Sequence, residues 1–215
     1  MSKLRFEISI SVDGFVAGPN QSEEQPLGEG GEQLHEWVVK LEAWRRSHGR
    51  EGGEVNASSE IVAAAMDNVG AVIMGRKMFG GGPGPWNMED PWNGWWGDDP
   101  PFHVPVFVLT HHEREPLELQ GGTTFYFVTD GVESALSQAR EAAGGKDVKL
   151  AGGASAAQQY LAAGLVDEMM LNVAPVLLGS GERLFEGVGA DLELEQVRVV
   201  HTPEVTSVEY LVSRP

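Results

Sequence analysis

The chain has 215 residues and a mass of 23.2 kDa, enough for one sizeable core, and it reads as a single domain. It holds no cysteine, which excludes disulfide frameworks, cysteine-ligated zinc, iron-sulfur clusters and thiol nucleophiles. Its net charge of -17 opposes general association with nucleic acid or an anionic membrane, so a phosphorylated ligand would need a local cluster of the few basic residues.

The N-terminus, Met1 to Glu7, lacks the apolar core of a secretory signal, and no apolar run approaches the ~20 residues that span a bilayer; a cytoplasmic location is the expectation. Phe6 to Val12 alternates apolar and polar residues, the period-2 signature of a strand, until Asp13-Gly14 breaks it. Phe15 to Ala17 continues briefly, and Gln21 to Gly31 is a polar, acidic, glycine-rich stretch expected to be a mobile surface loop. Leu34, Trp37, Val38, Leu41 and Trp44 recur at helical spacing and predict one amphipathic helix from Glu32 to Ser47, with Trp37 and Trp44 in the core. A second helix is expected over Ser59 to Asn68, capped by Ser58 or Ser59, followed by a buried strand at Ala71 to Met74.

From Gly80 to Pro101 glycine and proline forbid long regular structure, yet Trp86, Trp92, Trp95 and Trp96 lie there. Such a loop either roofs a pocket, where Trp86 could stack on a flat substrate, or forms a dimer interface. Strands are expected at Val104 to Leu109 and Thr123 to Val128, a helix over Val132 to Ala143, and a strand over Glu168 to Leu178 interrupted by Pro175. Leu192 to Val200 and Val205 to Val212 should pair antiparallel around Thr202-Pro203. The order predicts an α/β sheet, largely parallel in the middle.

Val148 to Leu161 is the most informative stretch. A short strand runs into Gly152-Gly153 and then a helix of small residues, leaving the first helix amides bare beside a backbone that another molecule can approach. That joint suits a phosphate, and it equally suits a plain tight turn.

Set in order, the segments resemble the dihydrofolate reductase-like superfamily, in particular stand-alone proteins related to the reductase half of the bacterial riboflavin-biosynthesis deaminase-reductase. The likeness is carried by Ser9 to Ala17, by Ala71 to Phe79, by Val106 to Thr110, by Leu150 to Ala154, and by Gly164 to Glu168 with Ala174 to Phe185. It implies a three-layer α/β fold with a mixed, mostly parallel sheet, helices on both faces and a C-terminal antiparallel hairpin. It also implies NADPH, held by Val16 and Ala17 at the nicotinamide, by Gly75, Arg76, Lys77 and Met78, by Leu109, Thr110 and His111, and by Gly152, Gly153, Ala154, Ser155 and Gln158.

Arg76, Lys77, His111, His112 and Arg114 follow two predicted strands, an unexpected grouping in so acidic a chain. If those strands are parallel neighbours, both groups emerge at one carboxyl edge, where Arg76 could fork a phosphate and Thr110 donate a hydroxyl, a pair suited to a 2′-phosphate. Hydride transfer also needs a proton source, for which Asp13 and His35 are the candidates; no metal is expected. Ala151 stands where riboflavin-pathway reductases usually have Glu, and the zinc deaminase half cannot be present without cysteines. The reading is an NADPH-dependent reductase of a small heterocycle, similar to 5-amino-6-(5-phosphoribosylamino)uracil reductase or dihydrofolate reductase, acting as a homodimer. Its rival is a dinucleotide-binding protein on the same fold without turnover.

Overall fold

The computed structural model describes residues 2–214. In chain order its elements are β1 (Leu4–Ser11), β2 (Phe15–Ala17), α1 (Glu36–Val39), α2 (Glu42–Ser47), α3 (Ser59–Ala64), β3 (Val69–Gly75) and α4 (Arg76–Phe79). There follow β4 (Pro105–Leu109), β5 (Leu117–Glu118), β6 (Thr124–Val128), α5 (Val132–Ala142), β7 (Asp147–Gly152), α6 (Ala154–Ala162), β8 (Glu168–Ala174), β9 (Glu182–Arg183), β10 (Glu193–Thr202) and β11 (Val205–Ser213). Nine strands form one sheet in the order β10-β11-β8-β1-β7-β3-β4-β6-β5, while β2 and β9 pair separately. Neighbours from β8 to β6 run parallel, and β10, β11 and β5 run antiparallel to their neighbours. This is the mixed, mostly parallel sheet with a C-terminal hairpin that the sequence predicts.

β3 is buried along almost its whole length because both of its faces are covered, the reason its sequence shows no alternation. Ala71 and Ile73 join Leu150 and Phe107 against Ala135, Leu136 and Ala139 of α5 and Ala157, Tyr160 and Leu161 of α6. On the opposite face Val72, Met74, Val106, Val108 and Phe125 pack beneath Phe79 and Trp86. The segment 80–101 thus serves as a third layer where no helix is available. Phe79, Phe125 and Phe127 meet Trp86 and Trp96 edge-on or stacked at centroid distances of 4.9 to 6.0 Å.

The predicted helix 32–47 is broken. A 3-10 turn (Gly31–His35) leads into α1, and at Leu41 the backbone becomes extended, with φ -72° and ψ 138°. The break is imposed from outside: Glu54 N donates to Lys40 O and Glu42 N donates to Glu54 O, both at 2.9 Å. Gly53, at φ +132°, permits this approach, since a Cβ there would lie 2.6 Å from Glu42 N. Leu41 stays buried, but Trp44 is turned to the flank, where it stacks on His48 at 3.9 Å. α3 is also shorter than predicted, and neither Ser58 nor Ser59 caps its amides; Ser59 Oγ accepts from Asn56 N instead. The stretch 21–31 has no regular element but is folded onto its own start, Gly18 N donating to Leu27 O and Glu29 N to Pro19 O. β5 and β9, two residues each, carry too little pattern to be read from sequence.

Candidate functional site

Parallel pairing brings the carboxyl ends of β1, β7, β3 and β4 side by side. Met74 lies opposite Gly152 and Gly75 opposite Leu109. Three interstrand spacings of about 4.8 Å make this edge about 14 Å wide. Gly75, Gly152, Gly153, Leu109, Thr110 and, through the β1-β2 turn, Asp13 to Ala17 are therefore gathered on one rim. The convergence of these strand ends is the part of the sequence reading that the pairing supplies; the cationic side chains are another matter.

The glycines on the rim differ in what holds them: Gly152 has a backbone conformation that demands glycine, whereas Gly75 would take a Cβ at ordinary contact distance. A Cβ at Gly75 would lie 3.4 Å from Ala156 Cβ and 3.7 Å from Gly152 O. Gly152 has φ +123°, a left-handed conformation that L side chains rarely adopt, and its peptide bond to Gly153 is cis. Above Gly153 nothing lies within 4 Å of where a Cβ would be, and no side chain caps α6, so the amides of Ala154 and Ser155 stand at an open surface.

The cations behave differently from the sequence expectation. Arg76, in α4 immediately after β3, turns inward over the Trp86 ring, 3.1 Å from its centroid, and donates Nη2 to Gly81 O and Gly82 O at 2.9 and 3.0 Å. Its Nε and Nη1 are buried without partners. Burial, and then the nearby Arg114 charge, push its pKa down to about 10. Arg114 lies 5.1 Å from the same ring, donates to Trp92 O and, at 2.8 Å, to Asn93 Oδ1, and is likewise lowered by burial. Neither guanidinium is within 4.0 Å of a carboxylate among the described residues. Two uncompensated cations in a chain of charge -17 are a local reversal of field, and with the open amides of α6 they suit an anionic ligand such as the phosphates of NADPH. For Arg76 to fork a phosphate it must first release Gly81 and Gly82.

Other predicted site residues are engaged within the protein. Lys77 pairs with Glu182 at 2.9 Å, and Gln158 Nε2 donates to Arg183 O at 2.7 Å, so both fasten the β9 segment across the rim. Thr110 is buried, and its hydroxyl accepts from His112 N at 3.2 Å, fixing the turn that leaves His111 exposed. Met78 lies beside Gly152, its sulfur 3.7 Å from where a Cβ would be. Val16 and Ala17 are buried in β2, Ala17 opposite Glu182. The sequence reading placed Ala174 to Phe185 in the family likeness but gave β9 no part in the site; just before β9, Gly181 sits so close to Ala17 O that a Cβ would fall 2.0 Å from it.

Two assignments are corrected. Trp86 offers no free face to a substrate: it is 9% exposed, Arg76 covers the ring, Phe127 and Phe79 pack against it, and its Nε1 donates to His112 O at 2.9 Å. Asp13 is a clamp and not a proton donor. Its carboxylate accepts from Leu178 N at 3.1 Å and Gly179 N at 2.7 Å, and the Ser11 hydroxyl together with those amides holds its pKa at about 2, so it is ionised at neutral pH. His35 sits in the turn before α1, packed towards β1, β2 and β8, with Nδ1 buried and unpartnered. Burial lowers its pKa, which keeps the ring neutral at physiological pH. Among the described residues no group of three or more candidate ligands could hold a metal, and no helix is long and apolar enough to cross a membrane.

Comparison with known proteins agrees with this architecture. Residues 2–208 match the family model described as the RibD C-terminal domain. An uncharacterized protein of Bacillus subtilis (strain 168), YyaP, is 27% identical over 136 residues, covering 61% of this chain and 68% of that protein. Among solved structures, a putative riboflavin biosynthesis protein from Shewanella sp. PV-4 superposes with a TM-score of 0.65 at 22% identity, covering 100% of both chains. RibD of Acinetobacter baumannii gives a TM-score of 0.58 at 16% identity, covering 100% of this chain but 59% of its own. The diaminohydroxyphosphoribosylaminopyrimidine deaminase/5-amino-6-(5-phosphoribosylamino)uracil reductase of Thermotoga maritima gives 0.54 at 14%, covering 100% of this chain and 57% of its own. At these identities the structural likenesses establish the fold.

Proposed function

The chain belongs to the RibD C-terminal domain family, and from that membership we propose that it is an NADPH-dependent reductase of a small heterocyclic substrate. The observation that carries the reading is the convergence of four strand ends on one rim, with glycines where backbone must approach a ligand and two uncompensated guanidinium groups beside it. When bound, reduced nicotinamide supplies the hydride. The chain's own part is to bind, orient and exclude water. Gly75, Met78, Gly152 and Gly153 admit the pyrophosphate, which the amides of Ala154 and Ser155 face; Gln158 and Lys77 hold the β9 segment over it. Arg76, Leu109, Thr110 and His111 serve the adenosine end, and Val16 and Ala17 the nicotinamide end.

Titration of tryptophan fluorescence tests the cofactor assignment: tight quenching by NADPH and weak quenching by NADH supports it, and equal affinities count against it. Consumption of NADPH with pterins, ribosylaminopyrimidines and small carbonyls tests turnover. A second reading, a dinucleotide-binding protein on this fold without turnover, is favoured by the ionised Asp13 and neutral His35, neither of which is a ready acid at neutral pH. Tight NADPH binding with no consumption across that panel would select it. We place the protein in the cytoplasm as a homodimer, the latter tested by sedimentation.

A further inference from the structure

A second cleft, with a cavity volume of about 140 Å³, opens between α3 and the strands β1, β7 and β8. Lys149 stands in its wall, three residues of β7 before Gly152 and so about 10 Å from the Gly-Gly turn. Lys149 pairs in register with Arg5 of β1, which sets an amine beside a guanidinium, and Glu7 follows Arg5 on the same face of the strand. We propose that Lys149 is a nucleophilic amine and that this cleft takes a small aldehyde, which Lys149 captures as a Schiff base.

The lysine is held where an ammonium is poorly solvated. Its side chain is 18% exposed, Nζ donates to Ala65 O at 3.1 Å, and Glu7 Oε2 is 3.9 Å away, beyond hydrogen-bond reach. The other Glu7 oxygen accepts from Asn172 Nδ2 at 3.0 Å. Of the remaining charges in the wall, Glu168 of β8 is paired with Lys3, Arg198 of β10 lies 3.8 Å from Glu60, and Glu209 of β11 has no cation within 4.0 Å among the described residues. Burial, with the Arg5 charge, lowers the Lys149 pKa against the pull of Glu7. A desolvated lysine beside a second cation is the arrangement that makes this side chain a nucleophile near neutral pH. Arg5 Nε is buried without a hydrogen-bond partner, 3.9 Å from Asp147 Oδ2, and is a donor for the oxygen of an incoming carbonyl. The Nζ lone pair forms the C–N bond as the carbonyl π pair moves to oxygen. Both amine protons then leave on that oxygen as water while C=N forms, with Glu7 the nearest group to carry them, and nothing is oxidised or reduced. A protein cavity of about this volume holds benzene, so the aldehyde has about six heavy atoms or fewer.

The proposal goes beyond the reductase reading and is tested without cofactor. The full chain is treated with limiting propanal and cyanoborohydride, whose hydride fixes any Schiff base, and the propyl label is located by mass spectrometry. The chain has five lysines, so Lys3, Lys40, Lys77 and Lys146 serve as internal references. At pH 7 Lys149 should be labelled at least tenfold faster than the exposed Lys40 and Lys146, since each unit of lowered pKa gives about tenfold more free amine. The lead should shrink as pH rises towards 10.5, where exposed lysines also lose their protons. R5Q removes the neighbouring charge and should cut the lead at least threefold; a thermal melt shows whether this variant is folded, and the native comparison stands without it. Labelling of Lys149 no faster than Lys40, a lead that is equal at pH 7 and pH 10, or a lead unaltered in folded R5Q overturns the proposal.

Discussion

Arg76→Met separates a side chain kept for a ligand from one kept for the fold. The guanidinium makes two hydrogen bonds to Gly81 O and Gly82 O and lies 3.1 Å from the Trp86 centroid. Net contributions of about 1 kcal/mol per hydrogen bond and about 1 for the cation-π contact stabilise the folded chain by about 3 kcal/mol. Against this, burial and Arg114 lower its pKa from 12.5 to about 10, an upper bound of about 3 kcal/mol against the charged form, which water on its exposed side screens to about half. Methionine keeps an apolar side chain over the indole and discards both terms. The expected loss is about 1 to 2 kcal/mol, a fall in Tm of about 2–8 °C for a chain of this size. NADPH affinity should fall at least tenfold while NADH affinity stays level, read by fluorescence titration of both proteins. A loss above about 4 kcal/mol, or equal weakening for the two cofactors, would refute the argument and make Arg76 a bolt for the Trp-rich loop.

Asp13→Asn should flatten the acid limb of stability. A carboxylate held at about 2, against an ordinary 3.8, contributes stability above the higher value that is lost as pH falls through the lower, so urea midpoints of the native chain drop more steeply across that window than those of the variant. Lys149 gives a slope of the same sign, at alkaline pH. Burial, with the Arg5 charge nearby, lowers its pKa below 10.5 against the opposing pull of Glu7, so the unfolded chain binds the extra proton and stability rises with pH towards that value; Lys149→Met should remove the slope in alkaline urea titrations. Gly152→Ala puts a Cβ on a residue at φ +123°, costing about 1 to 3 kcal/mol of strain, with Met78 Sδ as its neighbour at 3.7 Å. Its NADPH titration should weaken more than its thermal shift alone would suggest, and unchanged affinity would detach the Gly-Gly turn from cofactor binding.

The parallel centre of the sheet was legible because β3 and β4 are apolar runs and β7 is a short strand that ends at the Gly-Gly pair, and their pairing brings Gly75, Leu109 and Gly152 together. The region between Glu32 and Ser47 misled for a physical reason. Its apolar spacing is helical, but Gly53 delivers the backbone of Glu54 to Lys40 and Glu42, and those two hydrogen bonds outweigh local propensity at Leu41. Trp44 then points along the flank, a consequence no window centred on that residue contains. Trp86 shows the same limit at the site. Composition could place it in a loop of glycine and proline but could not say that the sheet face over Phe125 lacks a helix and must be covered by indole.

The residues that sequence patterns miss here are those defined by what they face. Asp13 stands in an Asp-Gly turn, and its acid strength is set by the Gly179 and Leu178 amides and the Ser11 hydroxyl, two of which come from far along the chain. Arg76 is the inverse case: its position after β3 was readable, but its orientation follows from where the Gly81 and Gly82 carbonyls lie. A strongly acidic chain that holds two guanidinium groups without carboxylate partners carries a desolvation cost that the hydrogen bonds and ring contact of Arg76 outweigh but do not remove. That cost is offset when an anion arrives, which is why a larger NADPH than NADH response in the native chain, abolished in R76M, is the measurement on which the cofactor assignment turns.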